Sequence, residues 1–358
     1  MPSGKFHDKP FDEGTLAKLN LFELYTREWL PVFLARPTPL RSAVHLFDFF
    51  AGPGTDSKGI PGSPIRLLKQ LEAYRGKPGW DKVQICVHLF DASSLKISHL
   101  KQNIGRLTPQ LTGITLQCEP WNFDRAFAAS EPLLLDENAA KLVFIDQFGV
   151  DKVTDDVFCK LVAAPACDFL FFLTSSTLYR FRDHPAIRQK ISRPDDYYHV
   201  HRKVLEYYHE LLPDPAGYYL APFSIKKGSN IYGVIFGSRH PLGMDKFLQV
   251  AWQQDEVNGE ANFDIGGENM LPGSPMLPFP DLKPLKVANF ERDLEERLRA
   301  GQLRHEIDVM KVCFEHGVMR RHAAPILAKL KQEKVIEIGF RVPDLERLRE
   351  PRPIRMVR

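Results

Sequence analysis

Val44-His-Leu-Phe-Asp-Phe-Phe-Ala-Gly-Pro-Gly54 is the stretch on which the fold turns. An apolar run ends in Asp48, and then come Phe50, Ala51 and two glycines one residue apart, Gly52 and Gly54. This is the pattern of a buried strand over 44–49 feeding a tight turn. Glycine has no Cβ, so such a turn can adopt left-handed backbone and let a ligand approach closely. The plainer alternative is that the glycines serve the turn alone, since a lone G-x-G has little specificity.

The flanking sequence repeats the same plan. Leu16, Leu19, Phe22, Tyr25, Trp29 and Leu30 recur at helical spacing, predicting a helix over 13–34 that ends near Pro31. Pro37-Thr-Pro39 then leads into the first strand. Ser63-Pro64 reads as a helix start. Further strands are expected at 83–90, closed by Asp91, and at 114–118, leading to Asn122 and Asp124. Two more are expected at 141–145, ending in Asp146-Gln-Phe-Gly149, and at 168–173. Strands alternating with helices predict an α/β fold with a mostly parallel sheet covered on both faces. Ligands of such sheets bind beyond the carboxyl ends of the strands, and here a polar residue follows each strand.

Later segments change character. Residues 177–217 are rich in Arg, His and Tyr and read as helices. Residues 218–223 and 231–237 read as a hairpin with a basic tip, followed by a helix over 243–254. Residues 255–284, dense in Gly, Pro and Asn, are the expected boundary between a domain over 1–254 and a module over 285–358. In that module a helix over 290–303, a second over 307–314, a short strand at 318–319, a third helix over 323–333 and a strand over 335–338 are expected. This order resembles a winged helix-turn-helix. The arginine-rich tail from 347 is expected to be mobile.

Charge follows the same division. The chain carries 48 Lys/Arg and 45 Asp/Glu. Residues 283–358 hold 18 and 12 of these, leaving 30 and 33 for the rest. A basic terminal module suits nucleic acid, and equally a solvated surface. Arg320, Arg321, Lys329 and Lys331 are the candidate phosphate contacts. The five cysteines are scattered, without zinc-ligand spacing, so no metal site is expected. They read as core thiols of a reducing compartment, which implies a cytoplasmic protein. No apolar run reaches the roughly 20 residues that span a bilayer, so no membrane partner is expected.

The order Asp48-Phe-Phe-Ala-Gly-Pro-Gly54 resembles the first motif of class I S-adenosylmethionine (SAM)-dependent methyltransferases. With Trp29-Leu-Pro31, Gly62-Ser-Pro-Ile65, Phe144-Ile-Asp-Gln-Phe-Gly149 and Ser238-Arg-His-Pro-Leu-Gly243, nearly the whole chain resembles the three-Cys-motif partner (TcmP) family. The resemblance implies a Rossmann-like, class I methyltransferase-like sheet ending in a hairpin, SAM as cofactor, and a three-Cys-motif protein as partner. It places Asp48, Phe50, Ala51, Gly52 and Gly54 against the cofactor. Asp91 is expected at the ribose hydroxyls or as a helix N-cap, and Asn122 or Asp124 at the adenine. Gln147 departs from the family pattern, which has proline there.

Asp146-Gln-Phe148 occupies the place of the amino-methyltransferase motif. Methyl transfer to an exocyclic amine needs acceptors for its N–H bonds and a ring to stack on the base. Asp146, the carbonyl groups of Gln147, and Phe148 are the candidates; without the prolines Asp146 is left either in that role or lining the pocket. No cysteine is placed for a cytosine-C5 mechanism. The leading expectation is a SAM-dependent methyltransferase acting on DNA or RNA. The alternative is a non-catalytic nucleic-acid- or partner-binding protein that keeps the methyltransferase-like shell.

Overall fold

The computed structural model describes residues 9–108, 111–147, 152–174, 200–227, 230–265, 283–345 and 350–357. The chain divides into two units, Met1–Gly243 and Met244–Arg358.

The first unit is built on a seven-stranded sheet with β1 (Ala43–Asp48) inside it. On one side β1 pairs in parallel with β2 (Gln84–Phe90), from Ala43↔Gln84 to Asp48↔Leu89. On the other it pairs in parallel with β4 (Ala139–Ile145), from Ala43↔Ala139 to Asp48↔Phe144. β3 (Ile114–Glu119) lies outside β2, and β5 (Cys167–Thr174) lies beyond β4, both parallel. β6 (Tyr219–Lys227) and β7 (Asn230–Ser238) form the expected hairpin. It is β7 that pairs with β5, antiparallel, which gives the order β3-β2-β1-β4-β5-β7-β6. The hairpin strands are longer than the sequence suggested, reaching to Lys227 and starting again at Asn230, so most of the expected tip belongs to strands.

Helices cover both faces. On one side α1 (Glu13–Leu34) packs Phe22 against Phe144 and Tyr25 against Phe236, with ring centroids 4.0 and 5.0 Å apart. α2 (Ser63–Ala73) is tied to α1 by Arg66, which donates to Asn20 and Glu23, each at 2.7 Å. On the other side Phe47, Phe49, Val143, Ile145, Phe169 and Phe171 join one apolar core with α4 (Phe123–Leu134), α5 (Asp155–Ala163) and α6 (Val200–Glu210). α3 (Ser94–Leu107) connects β2 to β3. Residues 177–199 of the stretch for which helices were expected lie outside the described residues.

α1 has the expected bounds, and Pro31 sits inside it near its end. A proline has no N–H for the carbonyl four residues earlier. That carbonyl, of Arg27, instead accepts from the Tyr74 hydroxyl at 3.1 Å. The lost backbone bond is thus replaced, and the helix continues to Leu34.

The second unit contains α7, which begins in the first (Pro241–Gln254), then α8 (Leu285–Arg299), α9 (Glu306–Glu315) and α10 (Ala324–Gln332). A two-stranded antiparallel sheet joins β8 (Ile336–Ile338) to β9 (Ile354–Met356). Phe290, Leu294, Val309, Cys313, Ile326 and Leu330 are buried among these helices.

Four local expectations are corrected here. The terminal tail is anchored: β9 pairs with β8, and the Arg352 guanidinium grips the buried Glu306 carboxylate through two nitrogens, the shortest contact 2.6 Å. Residues 318–319 form no strand. The Val318 N–H closes the end of α9 on Cys313 at 2.9 Å, and a 3-10 turn over Arg320–Ala323 follows. The described start of the supposed linker is packed: Asp255 accepts from the N–H groups of Val257, Asn258, Glu260 and Ala261 at 3.1–3.2 Å. Finally, Cys159, expected in the core, is exposed; the other four cysteines are buried and all five are free thiols. No helix among the described residues is long and apolar enough to cross a membrane.

Candidate active site

The strand order changes direction between β1 and β4, and a crevice is expected at that point, outside the carboxyl ends. A cavity of about 440 Å³ lies there. Its floor is the turn after β1, through Phe50, Ala51, Pro53 and Gly54, and the residues after β4, Asp146 and Gln147. Phe172 of β5, Ile225 of β6 and Tyr232 of β7 form one wall. The opposite wall is the N-terminal segment and α1, including Phe11, Asp12, Thr15 and Lys18.

The turn is held from below. Gly52 and Gly54 have φ of 61° and 88°, the left-handed region that favours glycine. The Ala51 N–H donates to the Phe90 carbonyl at 2.8 Å, and Asn103 donates to the Pro53 carbonyl at 2.8 Å. A Cβ on Gly54 would sit 2.9 Å from Leu100 Cδ1 and 3.3 Å from Ile65 Cγ1. Its missing side chain therefore makes room for the helices behind the turn, while its backbone lines the cavity in front. The loop after it is organised by Asp56, which accepts from the N–H groups of Phe11, Lys58 and Ile60 at 2.8–2.9 Å. The bond to Phe11 seats the N-terminal segment against the cavity.

Asp48 is completely buried beneath this turn. One carboxylate oxygen accepts from the Phe50 N–H at 3.0 Å and the other from the Ser63 hydroxyl at 2.6 Å. Burial pushes its pKa up to about 7; those two hydrogen bonds pull it down, and the charges of Asp146 and Asp91 push it up again. Three carboxylates thus stand at the ends of β1, β2 and β4, and two of them, Asp91 and Asp146, each meet a lysine ammonium.

The other expected residues divide. Phe50, Ala51, Gly54, Asp146 and Gln147 line the cavity. Asp48 and Gly52 support the turn without forming its wall. Asp91 is also away from the wall: it accepts from the Ser93 N–H at 2.8 Å and lies 3.4 Å from the Lys96 ammonium. Asn122 is the exposed N-cap of α4 and accepts from the Arg125 N–H at 3.0 Å. Phe148 lies outside the described residues. In the second unit, Arg320 holds the buried Asp245 at 2.6 Å and Lys329 holds Glu295 at 2.8 Å, whereas Arg321 and Lys331 are exposed.

Two features were not legible in the sequence. The Lys18 ammonium forms an ion pair with Asp146 Oδ2 and sits 5.2 Å from the centre of the Phe172 ring. Nothing in an amphipathic helix says which of its lysines will meet a strand end 128 residues later. In addition, the side-chain carbonyl of Gln147 accepts from the N–H groups of Lys152 and Val153 at 2.9 and 3.2 Å. The Gln147 amide nitrogen is buried and has no partner among the described residues. Those residues contain no His/Cys/Asp/Glu cluster that could hold a metal ion.

No protein-family model matches the chain, and no curated protein matches it. Solved structures that resemble it include Trm1 from Pyrococcus horikoshii in complex with S-adenosyl-L-methionine, at 10% identity and a TM-score of 0.40 over 64% of this chain. The chain covers 56% of the length of that structure. An O-methyltransferase from Bacillus cereus in complex with SAH aligns at 13% identity and a TM-score of 0.34, covering 64% of this chain and 82% of the other. The O-methyltransferase TomG from Streptomyces achromogenes, in complex with SAM, aligns at 12% identity and a TM-score of 0.32, covering 63% and 89%.

Proposed function

We propose that the chain is a class I SAM-dependent methyltransferase of the TcmP type, acting on an exocyclic amine of a nucleic-acid base. The observation that carries this reading is the cavity at the β1/β4 switch point, floored by the glycine turn and by Asp146 and Gln147. Bound there, SAM would supply an electrophilic methyl group. Phe50, Ala51 and Gly54 would hold it, with Asp48 fixing the turn beneath. Asp146 would accept an N–H from the substrate amine and so orient its lone pair. The terminal β6–β7 hairpin suits the same family.

Three helices followed by a β8–β9 hairpin support a winged-helix-like reading of the second unit. Arg321 and Lys331 are its best-placed phosphate contacts, since Arg320 and Lys329 already hold carboxylates. A three-Cys-motif protein is the proposed partner, on the strength of the sequence resemblance.

The Lys18–Asp146 ion pair favours one second reading, a non-catalytic shell whose substrate side is closed by its own lysine. Calorimetric titration with SAM and SAH, together with labelled-SAM transfer to DNA and RNA, separates the two. Micromolar SAM binding, with transfer reduced at least a hundredfold in Asp146→Ala, is the expected result. SAM binding without any transfer supports the closed shell, and no binding of either ligand refutes the methyltransferase reading.

A further inference from the structure

We propose that Lys18 is a specificity-determining residue whose ammonium fills the cation place of the cavity. The site then discriminates against SAM, which is charged at sulfur, in favour of SAH, which is not. The inference rests on the methyltransferase reading above and concerns how that site chooses its ligand.

Lys18 lies a little over one turn into α1, and its side chain lines the cavity. Its ammonium forms an ion pair with Asp146 Oδ2 and stands 5.2 Å from the centre of the Phe172 ring. A carboxylate beside an aromatic face is a general means of holding an organic cation. Asp146 and Phe172 line the same cavity as Lys18. The Lys18 and Asp146 side chains keep 18% and 29% of their surface exposed, so a ligand in the cavity can reach both. The floor thus carries a place for one positive charge, and the chain fills it with its own.

Methyl transfer brings a second positive charge to that place. An amine held by Asp146 has to come within about 3–3.5 Å of the methyl carbon, and the sulfonium sulfur is one bond further on. The charged sulfur therefore falls among the neighbours of the Lys18 ammonium. Like charges at such a separation disfavour each other by about tenfold or more. The four-carbon stem of lysine lets the ammonium swing aside without any movement of α1, but then its contacts with Asp146 and Phe172 are lost. Either way a ligand charged at sulfur bears a cost that a neutral one does not. SAH has the same adenosine, α-ammonium and carboxylate as SAM with a neutral thioether, so it escapes that cost. The resting site accordingly favours the product over the cofactor, and whatever draws Lys18 off Asp146 relieves the bias.

Calorimetric titration of the full-length protein with SAM, SAH and sinefungin tests the proposal. Sinefungin carries an amine where SAM carries its methylated sulfur, so it is a second cationic ligand of similar shape. Lys18→Met keeps an unbranched side chain and removes the charge. It should tighten SAM and sinefungin about tenfold relative to SAH. Lys18→Arg keeps the charge and should retain the wild-type ratio. The ratio is the readout because contacts common to the three ligands cancel in it, including any that Lys18 makes to their carboxylate. A gain of affinity confined to the cationic ligands cannot come from partial unfolding, so a less stable variant still gives an answer. A ratio in Lys18→Met that is unchanged or shifted toward SAH overturns the proposal, as does the same gain in Lys18→Arg; both leave SAM binding standing. Binding of none of the three ligands by wild type or either variant removes the methyltransferase reading and this inference together.

Discussion

Asp48 illustrates how one residue joins sequence motif to chemistry. It is the last residue of the buried strand β1, and it survives there because Phe50 N–H and Ser63 hydroxyl both donate to it. Burial first, and then the nearby carboxylates, raise its pKa from 3.8 to about 7. An acid whose folded pKa is raised keeps its proton longer when folded, so stability falls as pH climbs from about 4 to 7. The full penalty, about 4 kcal/mol, is in place only above pH 7. Asp48→Asn should therefore match wild type near pH 4 and become progressively more stable than it toward pH 8. Chemical denaturation at four pH values checks this, and a constant difference across them would show that Asp48 does not titrate in that range.

At the scale of elements, three neighbouring strands share a polar ladder within the sheet. His45 of β1 and His88 of β2 lie 2.9 Å apart through Nδ1 and Nε2, and His88 Nδ1 meets the Gln117 Oε1 of β3 at 2.8 Å. Gln117 can only accept there, so His88 donates to it and receives the His45 N–H. Both rings are neutral in this chain. Burial, and then the neighbouring His88, lower the His45 pKa to about 4, and burial lowers that of His88. Folded pKa values below the unfolded 6.5 mean that stability is complete above pH 6.5 and is lost as pH falls toward 4. The loss from His45 should reach about 2 kcal/mol near pH 4.5. The double variant His45→Phe/His88→Phe should flatten this acid limb, as read by melting temperature between pH 4.5 and 7.5; an undiminished slope would assign the acid sensitivity elsewhere.

Across the whole molecule, basic residues serve two distinct ends. In the second unit Arg320 holds Asp245, whose side chain is 4% exposed, and also donates to the Pro343 carbonyl at 2.5 Å. Removing it leaves a buried carboxylate unpaired, so Arg320→Ala should cost about 3 kcal/mol. Arg321→Glu with Lys331→Glu touches only exposed groups and should change stability by less than about 0.5 kcal/mol each. If those two residues meet phosphates, the pair should weaken duplex or single-strand binding and lower the salt slope by about two. Denaturation and anisotropy titrations at several salt concentrations separate these roles, and an unchanged salt slope in the double variant would exclude the two residues as phosphate contacts.

What the sequence determined by itself is the set of local decisions. The apolar runs and the glycine turn are short-range patterns, so the alternating α/β plan and the polar residue after each strand were legible in them, whereas two caps moved: Gly62 rather than Ser63 caps α2, and Ser93 rather than Asp91 caps α3. Even the placing of Asp146 beside Gly54 followed from where a parallel sheet gathers its strand ends. The tertiary structure alone decided the rest, because those contacts join residues far apart in the chain. Lys18 meets Asp146 across 128 positions, Tyr74 repairs the bond that Pro31 breaks, and Arg352 turns an expected loose tail into a strand anchored on Glu306. Gln147 belongs here too: its amide has two chemically opposite ends, and only the position of the Lys152 and Val153 N–H groups settles that the oxygen faces them.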